Sequence, residues 1–336
     1  MWLYIIIWLL LLLASKYPQK KVFYISLFLL SLLAGLRGNV IGFDTHIYND
    51  IFSWIKEGTN YPIEPSWYYL NKYVGLLGGG FNFFLWVVSF LTLFILGIAL
   101  VRCSPSPIFS LFLYYSLYAY LNSFNGMRQF LAISLVIAGY TYLPNLKKFL
   151  MCVLVAASFH FSAIFSLFAL FYRFLVMKCG IVIIILLISF LLGLVLNDEL
   201  FSLLTGPYAQ YLDSDFGYRE NLISAVILVI FMDLLFCWCF FTSTGAFKQS
   251  IWTKIFFFAI VLINATLQLK LGARVILYFT LVQILYFPNY LNCNIVKNKL
   301  LLKSIVIVYV AIVFMKILIL GNLGEYSVYP YKFFFE

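Results

Sequence analysis

The chain has 336 residues, of which 65% are hydrophobic and only 10% charged, with a mean hydropathy of +1.03. Soluble domains carry charge on about a quarter of their residues, so the composition excludes a soluble globular enzyme. The net charge of +10 does not point to nucleic acid, because the basic residues gather in short connections between apolar runs.

The first run, Trp2–Ala14, reads as a membrane span rather than a signal peptide. No basic residue precedes it, and "SKYPQKK" is not a small-residue cleavage site. Further apolar runs follow at 22–36, 83–101, 108–122, 129–143, 149–172, 180–196, 222–242, 254–269, 275–291 and 302–320. Many approach the length of about 20 residues that crosses a bilayer as a helix. The expected fold is all-α: a polytopic membrane helical bundle of about 11–12 transmembrane segments in one integral membrane domain, 1–336, with a large outer loop after the second segment.

Charge sets the expected topology. Thirteen of the 22 Lys+Arg lie in connections that hold no Asp or Glu, from Lys16, Lys20 and Lys21 to Lys297, Lys299 and Lys303. Loops rich in Lys and Arg face the cytoplasm. Both termini and the loops 37–82, 123–128, 197–221 and 270–274 then face outward. The run 149–172 fits this scheme only as two short helical pieces meeting near His160. A single span would put Arg173, Lys178 and every later basic loop on the wrong side.

The first outer loop, 37–82, concentrates polar chemistry. "GLRGNVIGFDTHIYND" places Arg37, Asp44, His46 and Tyr48 just beyond a greasy helix. In "YPIEPSWYYLNKY", Pro62 and Pro65 break regular structure, and the residues after them can start a short helix. The aromatics Tyr48 and Trp67 suit the apolar face of a sugar ring. The other outer loop, 197–221, holds five acids against Arg219.

Three arginines stand outside against the prevailing rule: Arg37, Arg128 in "NGMRQF", and Arg274 in "KLGARVILYF". A boundary arginine often only snorkels to water. Three at outward helix ends fit a shared anion site, since guanidinium grips phosphate oxygens bidentately. Asp44, Glu64 and His160 are the candidate bases beside it. His46 is read as loop. Asp233 and Lys316 are intramembrane charges with a structural reading. The six cysteines and two histidines lack metal spacing, so neither zinc nor a disulfide framework is expected. Together these groups permit attack by an acceptor hydroxyl on a sugar carried by a lipid diphosphate. Arginines would stabilise the departing charge, and no cofactor would be required.

The same segments resemble the EpsG-like branch of bacterial polysaccharide polymerases, the Wzy-type O-antigen and capsule polymerases. The resemblance runs through "GLRGNVIGFDTHIYNDIF", "EPSWYYLNKYV", "NGMRQFLAISLVIAGY", "FHFSAIFSL" and "ARVILYFTLVQILYFPNY", in that order from about residue 35 to 290. "EPSW" departs from the family's turn at Glu64. The resemblance carries over onto Arg37, Gly42, Asp44 and Tyr48, then Glu64 and Pro65. Asn125, Gly126, Arg128 and Gln129 follow, and last His160, Ser162, Arg274 and Tyr278. It implies a multi-pass enzyme of the bacterial inner membrane that joins undecaprenyl-pyrophosphate-linked repeat units on the periplasmic face. Its partners would be lipid-linked glycans, membrane lipids and a chain-length regulator. The alternatives are another lipid-linked-sugar glycosyltransferase, an O-antigen ligase, or a polysaccharide flippase or transporter. A transporter would be expected to show two related halves, and no repeat is present.

Overall fold

A computed structural model describes residues 1–17, 19–197, 222–269, 272–293, 299–320 and 328–336. Among these the chain is helical, with isolated bridges but no strand. The fold is an all-α membrane bundle.

The chain forms two compact units, 1–164 with 300–336, and 165–299. The first unit holds α1 (Trp2–Ala14), α2 (Lys20–Gly35), α3 (Thr45–Lys56), α4 (Pro65–Leu76), α5 (Phe81–Cys103), α6 (Pro107–Ser116), α7 (Ala119–Asn122), α8 (Met127–Tyr140) and α9 (Leu146–Phe159). A 3-10 segment, Phe161–Arg173, follows α9. The second unit holds α10 (Cys179–Val195), α11 (Leu222–Thr242), α12 (Gly245–Lys248), α13 (Ile251–Ala265), α14 (Gly272–Thr280) and α15 (Gln283–Asn292). Helix α16 (Lys299–Leu320) returns the chain to the first unit.

Three described helices are long and apolar enough to cross a membrane: Phe81–Cys103, Leu222–Thr242 and Lys299–Ile319. The other apolar runs form shorter helices. In the first unit α5 packs on α2 and α8, and α8 packs on α9. Close approach is built from small residues, as membrane helices require. A Cβ on Gly35 would lie 2.4 Å from the Cβ of Trp86, so α2 meets α5 only because residue 35 has none.

Several expected runs are broken. Residues 45–56, expected within an outer loop, form helix α3, so His46 is helical rather than loop. Its buried Tyr48, Ile51, Phe52 and Ile55 recur at helical spacing. The expected span 108–122 breaks at Tyr118, a left-handed residue with φ 64°. The run 275–291 divides between α14 and α15, with Pro288 inside the latter. The run 149–172 is in two pieces that meet at His160, as the charge pattern requires. The acid-rich stretch 198–221 lies outside the described residues.

In the second unit α13 packs on α10, α11 and α14. Asn264 Nδ2 reaches both carboxylate oxygens of Asp233 at 3.1 Å and Ser189 Oγ at 3.3 Å. Asp233 thus joins a polar contact between helices, which agrees with its structural reading.

Candidate functional site

Three segments far apart in sequence converge on Glu64. Glu64 occupies the N-cap of α4, with Pro65 in the first turn, where a fixed φ suits helix initiation. Arg128 is in the first turn of α8. His160 ends α9 in an extended conformation, φ −155° and ψ 113°, before the 3-10 segment begins. The helix break therefore turns the imidazole toward the start of α4.

The contacts divide the carboxylate between two partners. Arg128 Nη1 donates to Glu64 Oε2 in a short charge-assisted bond. His160 Nδ1 faces Glu64 Oε1 at 3.2 Å, and the Phe161 backbone N–H donates to the same oxygen at 3.4 Å. Ser66 Oγ and Ser158 Oγ, 2.7 Å apart, tie α4 to α9 beside the pair. Sequence reasoning missed both serines, because small residues on greasy helices carry no separate signal.

Electrostatics fix the state of Glu64. Burial raises its pKa, but the His160 hydrogen bond and the Arg128 charge more than offset this and hold it at about 2. Glu64 is an ionised acceptor at any physiological pH. Arg128 stands at the positive end of the α8 dipole, an unfavourable place for a cation, and Glu64 neutralises it. The three side chains are 19–26% exposed, so a solute can reach them.

Around this cluster lie other expected residues. The Arg128 guanidinium carbon stands 5.9 Å from the ring centre of Tyr48. Burial, then the neighbouring Asp44 and Glu64, raise the Tyr48 hydroxyl pKa against the opposing Arg128. Asp44 is the N-cap residue of α3. Gly42, at φ +90°, brings its loop against residues 124–125; a Cβ there would lie 3.0 Å from the Phe124 carbonyl and 3.2 Å from Asn125 Oδ1. The Asn125 amide is enclosed, and neither of its atoms has a hydrogen-bond partner among the described residues. Gln129 and Ser162 sit one residue from Arg128 and two from His160 in the chain.

Other expectations are not met in the expected form. Trp67, expected to stack on sugar, is 0% exposed. It packs edge-on against Tyr48 at 5.6 Å and Phe84 at 5.2 Å, and serves as core. Phe43, Trp54, Tyr69 and Tyr73 are exposed aromatics of this region. Tyr278 is also fully buried, in the second unit. The Arg274 side chain lies outside the described residues.

Arg37 is the opposite of a snorkelling anchor: it is 0% exposed. Its Nη1 donates to the Ala34 carbonyl at 2.5 Å and its Nη2 to Met127 Sδ at 3.1 Å. The Phe124 ring lies 4.6 Å beneath it, and Nε has no partner among the described residues. No carboxylate pairs with it there either, since the described ion pairs are those of Glu64. Burial lowers its pKa to about 10, which leaves it a cation at neutral pH. Met127 adjoins Arg128, so the two arginines are neighbours across one residue. Among the described residues one has a carboxylate partner and the other has none.

A family model described as the EpsG family matches residues 20–333, nearly the whole chain. The chain belongs to the EpsG family, whose members are Wzy-type polysaccharide polymerase-like proteins. Comparison with curated proteins and with solved structures returned no match.

Proposed function

We propose that this EpsG family member is a glycosyltransferase that polymerises O-antigen or capsule-type polysaccharide at the periplasmic face of the bacterial inner membrane. A growing glycan on undecaprenyl pyrophosphate is transferred to a hydroxyl of a lipid-linked repeat unit. The observation that carries this reading is the Glu64 carboxylate held between Arg128 and His160.

The geometry divides the labour. A carboxylate with a pKa of about 2 is a poor proton acceptor at neutral pH. It is a good partner for an imidazole N–H. Glu64 Oε1 accepts a hydrogen bond from His160 Nδ1–H, and this tautomer leaves Nε2 with its lone pair. Nε2 then removes the proton of the acceptor hydroxyl. The hydroxyl oxygen forms a bond to the anomeric carbon, and the bond from that carbon to the diphosphate oxygen breaks. The electron pair leaves with the diphosphate, so no cofactor enters. Arg128 fixes Glu64 in place, and Arg37 meets the anionic leaving group.

Deletion of the gene in the source strain tests this. Glycans should remain capped with a single repeat unit, and the long ladder should return on complementation with this chain. Loss of even the first unit would favour a ligase or an earlier transferase.

A further inference from the structure

The C-terminal segment 328–336 lies across the end of α2 and closes over Arg37. Gly38 N–H donates to the Lys332 carbonyl at 2.9 Å, and Phe334 N–H donates to the Leu36 carbonyl at 3.0 Å. Arg37 and Phe333 form an antiparallel bridge between these two bonds. Tyr331 Oη donates to the Leu33 carbonyl at 2.5 Å, and Tyr4 Oη donates to the Val328 carbonyl. A Cβ on Gly38 would lie 3.3 Å from the Phe333 carbonyl oxygen, so glycine lets the segment seat closely. The strap supplies carbonyls, an N–H and aromatic rings, but its one acidic side chain, Glu336, bonds back to Phe333 N–H instead of to Arg37.

A cation sealed without a counter-ion is costly, and the cost is relieved when an anion reaches it. We propose that segment 328–336 is a strap over a latent diphosphate site at Arg37, and that the anion enters as the strap lifts. This rests on the reading of Arg37 as the leaving-group partner and adds its regulation. Two backbone hydrogen bonds and two tyrosine hydroxyls hold the strap. The closed strap excludes water from Arg37 between turnovers. The open strap exposes a guanidinium that has no carboxylate partner among the described residues to a lipid diphosphate.

The test reads accessibility, so it does not depend on polymerisation. The purified full chain in lipid nanodiscs is treated with an arginine-selective dicarbonyl, and modification of Arg37 is followed by peptide mass spectrometry. Exposed Arg102 is the internal standard. Arg37 should react slowly in the wild type. Loss of the Leu33 bond in Tyr331→Phe should raise its rate by up to roughly tenfold, the factor one such hydrogen bond represents. Removal of 328–336 should raise it further. Inorganic pyrophosphate should protect Arg37 in the shortened chain and leave Arg102 unaffected. If Arg37 stays unreactive in both variants, the strap does not seal it. If it reacts but pyrophosphate gives no protection, the strap covers no anion site. Normal protection together with a failed polymerase assay would overturn the proposed reaction and leave the strap standing.

Discussion

Replacing Glu64 with Gln keeps the shape of the side chain and removes its charge. In the wild type one carboxylate oxygen takes Arg128 and the other faces His160 Nδ1 at 3.2 Å. Glutamine has a single side-chain oxygen. Arg128 can only donate, so it claims that oxygen, and the NH2 group turns to Nδ1. His160 must then accept at Nδ1 and carry its proton on Nε2, the wrong tautomer for a base. General-base catalysis contributes roughly 10²–10⁴ in rate, which is about 2.7–5.4 kcal/mol at 1.36 kcal/mol per decade. Turnover of Glu64→Gln at saturating lipid-linked repeat unit should fall by that range in proteoliposomes, with membrane abundance normal. The same change has a signature in stability. The Glu64 pKa drops from an ordinary 4.5 to about 2. A depressed carboxylate stabilises the fold above its unfolded pKa and loses that contribution as pH falls through its folded pKa, for at most about 3 kcal/mol here. The melting advantage of wild type over Glu64→Gln should therefore be constant above about pH 5 and shrink between pH 4.5 and about 2. Wild-type turnover in the variant at pH 7 would refute the assignment of His160 and Glu64 as a working pair.

The remaining predictions concern single groups and topology. His160→Ala should lower turnover at saturating acceptor by roughly 10²–10⁴ with little change in KM; an effect on KM alone would make His160 a binding residue. Arg37→Met should melt no lower than wild type, because it removes a buried charge with no carboxylate partner among the described residues, yet polymer length on a gel should collapse; a large drop in melting temperature would mean that the guanidinium holds the fold. In intact cells an impermeant thiol reagent should label a cysteine placed at Asn60 and not one at Lys248; the reverse pattern would invert the topology.

Much of the helical framework was legible, because the apolar runs are long and the basic connections between them lack acids. The break at His160 followed from charge alone: only two pieces keep Arg173 and Lys178 on the basic side. Helix α3 was obscured because its apolar face is only four residues, Tyr48, Ile51, Phe52 and Ile55, set among polar ones. The break at Tyr118 has neither glycine nor proline to announce it. Glu64 was visible as an acid beside a proline, but its partners lie 64 and 96 residues away. No local pattern encodes such pairs. The burial of Trp67 was hidden for the same reason, since what covers it comes from α3, α5 and α8. Arg37 sits at a helix end, which suggested contact with water; the segment that closes over it comes some 300 residues later in the chain.

The two neighbouring arginines should fail differently, and the difference tests the division of roles. Arg128 already has a carboxylate, so a diphosphate would have to displace Glu64 to gain it. Arg37 has no such competitor among the described residues. Lysine keeps the charge but loses the planar fork. Arg128→Lys should loosen Glu64 and, through it, His160. The expected result is lower turnover at saturating substrate and a shifted pH–rate profile, with affinity for lipid diphosphate near normal. Arg37→Lys should weaken stabilisation of the departing diphosphate. An oxyanion-type donor is worth roughly 10²–10³ in rate, and the loss should appear without a shift in the pH profile of the base. Weaker binding of the lipid diphosphate should accompany it. If both variants lose affinity alike and both leave the pH profile unmoved, the two guanidiniums act together on one anion, and Glu64 gives up Arg128 when substrate binds.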